Sequence, residues 1–432
     1  MADVTRADVA HLLRRAGFGG TAAEIDRLVA LPTWEDVVDA ILDTSANPAD
    51  PIPAAVDDRE DEWYPPWVAG VHHWMDRMAT TPTPIVEKMT LFWHGNLASS
   101  TDGVLPRLVF RQIRTYRALA LGDVHDLFQA MAIDPAMLQY LDNASNVAEE
   151  PNENFARELM ELFTLGNGAF TEADVVGMAR AWTGHNLDDT GERYRFSAAD
   201  HDGGLKTIFG ITRAWDGPAT ITEIVRGSRQ GTCARYLAAK VWSFFAHPQP
   251  PAALVDDLAA TFIASGMVVR ELLRAVFLRP EFRLATTRTA LVRSPVEWLV
   301  VAMRATGLDA ATLHPEWWME RLGQALYQPP NVSGWRQNAA WISTSAQWAK
   351  GSFASWACWK ADAAGVFAGL GDATPAVAAQ AALDRFGVDA PSAATRARIE
   401  EYVAREQAAG RRWAIPPNLV TLGLLAPDVQ LA

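Results

Sequence analysis

Cysteine is scarce in this chain: Cys233 and Cys358 are the two in 432 residues, and neither belongs to a C-x-x-C pair. Thiolate zinc sites and a disulfide framework are therefore poorly supported. No apolar run reaches the ~18 residues that a membrane-spanning helix requires, so none is expected. The first twenty residues lack the apolar core of an export leader and pass straight into an amphipathic pattern, so the chain as given reads as cytoplasmic. Positive charge is also short. There are 38 Lys and Arg against 51 Asp and Glu, a formal net charge of −13, which argues against a broad nucleic-acid footprint. No H-E-x-x-H, Walker A, G-x-S-x-G or EF-hand pattern occurs in the context its chemistry needs.

Apolar residues make up 49% of the chain and charged residues 21%, enough for a sizeable core. Tryptophan is abundant, with 17 residues, and suits cores, interfaces and sugar-stacking surfaces alike. Helix punctuation recurs. Thr5 and Thr33 precede apolar-periodic runs, and Thr21 with Glu24 forms a capping-box pattern. Pro84 after Thr83, Pro135 after Asp134, and Ser294-Pro295-Val296-Glu297 mark further helix starts. The acidic, Pro-rich stretch 47–66 reads as a surface loop. Residues 183–218 lose the 3.6-residue period and read as a long loop with a short hairpin near Tyr194–Phe196; 323–345 read as a second loop. The expected fold is mainly α: a multi-helical globular protein with long irregular loops. It has an N-terminal half, 1–215, and a C-terminal half, 216–432, which together can form one compact unit.

Four constellations could carry chemistry. On a helix over 152–165, a 100° step puts Asn154, Glu158, Glu161 and Leu165 on one stripe with Arg157 beside it. Two carboxylates three residues apart repel each other. Arg157, a metal ion or a retained proton could relieve them; equally, the stripe could be a solvated polar face. The second constellation is Phe92-Trp93-His94-Gly95-Asn96, where His94 could be a ligand, a catalytic group or a satisfied interior residue. The third joins Trp182, His185, His201, Asp202 and Lys206 in the long loop, where turn chemistry is the simpler account. The fourth is 328–335, whose Trp335 could wall a pocket or pack the loop onto the core.

The run from Asn152 to Gly166 resembles the hallmark of a large bacterial family known as domain of unknown function 1800. Further segments support the resemblance in order: His11 to Gly19, Phe92 to Asn96, Ala179 to Gly184, His201-Asp202-Gly203 with Lys206 and Gly210, Arg293 to Glu297, and Pro329 to Trp335. The resemblance covers nearly the whole chain. Relatives carry a second histidine where this chain has Asn96, often an aromatic residue where it has His185, and in many cases an export leader. The family lends no activity. It does imply that Asn154, Arg157, Glu158 and Glu161 belong to a fixed polar pattern rather than an arbitrary wet face.

The expectation drawn from these residues is a hydrolase of unknown substrate, working by acid/base or metal-assisted chemistry on a polar, saccharide-like molecule. Glu158, Glu161, His94, His201 and Asp202 are the expected catalytic groups. Asn154, Arg157, Trp182, His185, Lys206 and Trp335 are the expected substrate contacts. His94, Glu158, Glu161, His185 and His201 are the candidate ligands for a divalent ion. Two other readings stand beside it: a metal- or haem-dependent oxidoreductase, and a non-catalytic helical scaffold or partner protein whose polar helix is an ion-pair network.

Overall fold

The computed structural model describes residues 4–51, 53, 56 and 64–431. Half of the acidic stretch 47–66, residues 52, 54, 55 and 57–63, thus lies outside the described residues, and its last three residues open the helix Tyr64–Thr80. The protein is mainly α-helical: 62% of it is helix, with 23 helices and two small antiparallel two-strand sheets among the described residues. No described helix is long and apolar enough to cross a membrane.

Local chemistry accounts for the helix starts. Thr5 accepts from the Asp8 N–H and opens the helix Arg6–Arg15. Thr21 with Glu24, Thr171 with Asp174, and Ser294 with Glu297 each form a reciprocal capping box. Asp134 accepts from the N–H groups of Ala136 and Met137 at the head of Pro135–Tyr140. Thr83 departs from this pattern. It precedes Pro84–Asn96 but makes no side-chain cap; the Pro84 ring alone presets the first turn.

One apolar core runs through both halves of the chain, from Val9 to Val429. Trp74, Trp93, Trp182, Trp215, Trp242 and Trp298 lie fully inside it. Several indoles also tie distant segments together. Trp93 donates to Ala120 O, Trp298 to Leu424 O and Trp67 to Leu326 O. A buried indole loses little by facing apolar neighbours provided its N–H finds an acceptor. Most of the described tryptophan is therefore structural, while Trp317, Trp348, Trp359 and Trp413 remain exposed.

The long loop 183–218 holds two hairpins rather than one. His185–Leu187 pairs with Tyr194–Phe196, and Lys206–Ile208 pairs with Ile211–Arg213. The second turns through Phe209 and Gly210, both at positive φ. That is the geometry of the two-residue turn matching strand twist, and it favours glycine. Phe209 is held there by its N–H bond to Asp174 Oδ1 (2.6 Å) and by the Arg229 guanidinium over its ring.

Candidate functional site

The polar helix is not one regular helix. Asn154–Glu158 is α-helical, and Leu159–Thr164 is a π-helical turn. The wider turn shifts the register, so the 100° stripe predicted through Glu161 and Leu165 ends at Glu158. The loosened carbonyls find outside donors: Tyr236 Oη donates to Leu162 O (2.7 Å), and so does Lys240 Nζ (2.9 Å). π-turns occur frequently at functional sites. Glu158 and Glu161 are half-buried. Burial, and then the charge of Glu161, raises the Glu158 carboxyl above its usual range. The charge of Arg157 offsets this only in part, and its bonds go elsewhere. Arg157 bonds Glu153 (3.1 Å) and Glu172 (2.8 Å) at the surface. Asn154 is exposed, with Asp142 at 3.5 Å.

His94 sits elsewhere, deep in the core. Its Nε2 accepts from the Tyr327 N–H (3.0 Å), and its ring lies among Trp74, Tyr327 and Trp335. Burial pushes its pKa down to about 3, so the ring is neutral. Gly334 explains how the two motifs dock. At φ +73°, a Cβ there would stand 2.0 Å from Gly95 O. Trp335 thereby reaches His94 as an edge-on ring at 5.1 Å. Asn96 bonds back to Phe92 O (2.8 Å), a use of that position in helix termination.

The third group does come together. His185 lies against Trp182, Phe196 and His201, with ring centroids at 4.7, 5.0 and 6.2 Å. Its Nδ1 meets Tyr194 Oη at 2.9 Å, while His201 Nδ1 meets Thr183 O at 2.8 Å. Burial and then the neighbouring His201 lower His185 to about 4. Arg180 bonds Asp202 at 2.6 Å and holds its carboxyl below the usual range. Lys206 is a staple: its ammonium reaches the carbonyls of Asp202, Gly204 and Trp215. The polar helix touches this group through Phe155 on Trp182 (5.1 Å), not through its carboxylates. The residues expected to converge thus fall into three separate places: the π-turn, the His94 cage and the His185–His201 loop.

A different convergence was not anticipated from the sequence. His72 lies on the helix Tyr64–Thr80, one turn before Asp76. Asp76 Oδ1 accepts from the Ala310 N–H (2.7 Å) and docks the turn Ala310–Leu313 beside that helix. The turn ends at His314 in the left-handed region, φ +44°, with its ring stacked on Trp317 at 4.0 Å and 6°. Two residues on, Glu316 opens the helix Glu316–Leu322. Its carboxylate is 2% exposed and bridges both imidazoles, Oε2 to His72 Nε2 at 2.7 Å and Oε1 to His314 Nδ1 at 3.1 Å.

The ligand atoms of these three residues lie within 4.8 Å of one another, the one such group of three found among the described residues. The histidines are part-exposed, at 19% and 34%, so one side stays open. Two imidazoles, one carboxylate and an open side make a donor set that a catalytic zinc ion takes. Sequence spacing could not reveal it, since His72 and Glu316 come from opposite halves. The sole local sign is His314-Pro315-Glu316, two donors around a proline.

No curated protein and no solved structure matches the chain. Residues 11–431 match the family described as protein of unknown function (DUF1800). The matched span includes every segment that carried the resemblance as well as His72, His314 and Glu316, and the chain belongs to that family.

Proposed function

We propose that this protein is a metal-assisted hydrolase of a polar substrate, with a divalent ion held by His72, His314 and Glu316. The observation that carries the reading is the convergence of three donors on one point beside solvent. His72, His314 and Glu316 would hold the ion, which would supply a water acidic enough to serve as nucleophile near neutral pH for hydrolysis of an acyl or phosphoryl group. Asp76, one turn from His72, is the nearest further carboxylate on that helix for proton traffic. Trp317, exposed and stacked on His314, offers a flat face to a saccharide-like group. The same donors suit iron(II) in oxygenases, so the oxidoreductase reading attaches to this centre too.

Zinc titration of chelator-treated protein by calorimetry is expected to give one ion per chain. His72→Ala and Glu316→Gln should each weaken binding at least ~10-fold. Zinc-loaded protein should then cleave p-nitrophenyl acetate or p-nitrophenyl phosphate, and His72→Ala should not. Equal binding by wild type and both variants would remove the centre. One bound zinc with turnover no faster than free zinc would leave the ion and discard the hydrolase; iron(II) uptake with an oxygen-dependent absorption change would favour the oxidoreductase.

A further inference from the structure

Two motifs of the family pattern, His11 to Gly19 and Arg293 to Glu297, take no part in the centre above. They meet inside the protein, against Lys88 of the helix Pro84–Asn96. Arg15 is 1% exposed. Its Nη2 donates to Thr287 O (2.6 Å), while Nε and Nη1 have no partner. Arg293 is 2% exposed, and both Nη1 and Nη2 lack a partner. Lys88, equally buried, donates to Gly17 O (3.3 Å) and pairs with Glu297. Glu297 is already engaged by Lys88 and by the Ser294 N–H (2.7 Å).

This arrangement leaves a surplus of buried positive charge. Arg15, Lys88 and Arg293 stand against Glu297 alone. Burial and the charges of Arg14 and Arg293 pull Arg15 well down, and burial with Arg14 and Arg304 brings Arg293 to about 9. An unpaired buried ion is among the most costly arrangements a protein can hold. Against Arg15 and Lys88 lies a cavity of about 20 Å³, lined also by Ser294, Glu297, Gln337 and Asn338, with Arg293 outside its wall. Asn338 Oδ1 is taken by the Val292 N–H (3.1 Å), which leaves its Nδ2 as a donor. Space of this size holds one water-sized body. A water molecule could accept from the orphaned N–H groups but would leave the net charge uncompensated. A tetrahedral oxyanion exceeds the space.

We infer that this pocket is a binding site for one small monoatomic anion of the chloride class, seated on Arg15 and Lys88 with Arg293 behind. The two motifs are then joined through a shared counter-ion rather than through a direct pair. The site is local: the anion enters a chain whose overall charge, −13, repels it.

Thermal unfolding of the full chain at fixed ionic strength tests this, with sodium gluconate exchanged for sodium chloride. Tm is expected to rise by about 3 °C or more between roughly 1 mM and 150 mM chloride. Bromide should act like chloride, and sulfate should act like gluconate. Arg15→Met should abolish the chloride response. Arg293→Met, which removes a charge with no partner, should be at least as stable as wild type in gluconate and respond less to chloride. If Arg15→Met fails to fold, anomalous scattering from bromide-soaked native crystals replaces it, with one peak expected beside Arg15. Equal Tm in chloride and gluconate would overturn the inference. So would a bromide map without that peak, or an Arg293→Met variant strongly destabilised in both salts.

Discussion

Between pH 7 and pH 5 the protein is expected to lose at least about 2 kcal/mol of stability. Three histidines drive the loss. Burial, with the charges of Arg15, Arg14 and Arg288, holds His11 far below its ordinary value; burial alone takes His94 to about 3; burial and His201 take His185 to about 4. Each ring has one nitrogen buried without a partner: His11 Nδ1, His94 Nδ1 and His185 Nε2. On His11, whose Nε2 faces Phe282 O, a proton added at Nδ1 would be a donor with no acceptor; on His94 it would fall on Nε2 and oppose the Tyr327 N–H. With folded values below an unfolded value of about 6.5, the unfolded chain binds more protons across that window. Their stabilisation is therefore complete above pH 6.5 and lost as pH falls towards 4 and 3. His94 and His185 each contribute about 2 kcal/mol between pH 7 and 5, and His11 acts in the same direction. Asp134 works in the opposite direction. Burial lifts its carboxyl to about 7 despite bonds from Gln112, Ala136 and Met137, and its protonation returns about 2 kcal/mol on acidification. Denaturant titrations at pH 7, 6 and 5 measure the slope. His94→Leu should remove about 2 kcal/mol of the pH-dependent part. A flat profile, or one that His94→Leu leaves unchanged, would contradict the account.

Glu87→Leu is expected to cost about 3–5 kcal/mol, close to the whole stability of many domains. Glu87 is fully buried and is the hub of a charged cluster. It accepts from Trp74 Nε1 (2.8 Å), from Arg77 Nε and from Arg117 Nε (2.9 Å). Asp50 completes the cluster. Burial raises its carboxyl, but His73, Arg117 and Arg77 outweigh that and bring it to about 2. Removing Glu87 strands two guanidiniums that Asp50 alone cannot match. Arg117→Met should recover much of the loss when combined with Glu87→Leu, because an apolar pair of similar volume avoids the stranded charge. Equilibrium unfolding of the two single variants and the double variant closes the cycle. A loss under about 1 kcal/mol for Glu87→Leu, or simple additivity in the cycle, would show that the cluster is not coupled.

The legible part of the fold was the part determined within a few residues. Thr5, Thr21, Thr33, Asp134, Thr171 and Ser294 each cap a helix through an N–H two or three residues on. Those contacts depend on local chemistry alone. The helix Pro106–Leu119 passed unnoticed because Leu105 offers no side-chain cap. The site was harder. The stripe through Glu158 and Glu161 assumed a constant turn angle, and the π-turn breaks that assumption through bonds to Tyr236 and Lys240, some 75 residues on. Arg157, offered as relief for Glu158 and Glu161, instead pairs with Glu153 one turn back and with Glu172 from the next helix. His72 gave no sign in sequence, and His314 only its place two residues before Glu316; the docking of Asp76 on Ala310 brings both histidines to one carboxylate.

The first helix has a consequence for the order of events during synthesis. Arg6–Arg15 finds most of its polar partners near residue 285, His11 on Phe282 O, Arg15 on Thr287 O, and Asp8 on Arg283 and Arg288, while Arg6 pairs with Asp26 and Asp389. A ribosome adds roughly 5–20 residues per second, so a nascent chain waits on the order of 15–55 s before those partners emerge. Throughout that interval the apolar face of Val9, Leu12 and Leu13 has only the next helix, Ala22–Val29, to pack on. The segment is thus made long before most of its polar partners, and its protection from aggregation until then falls to whatever binds emerging chains.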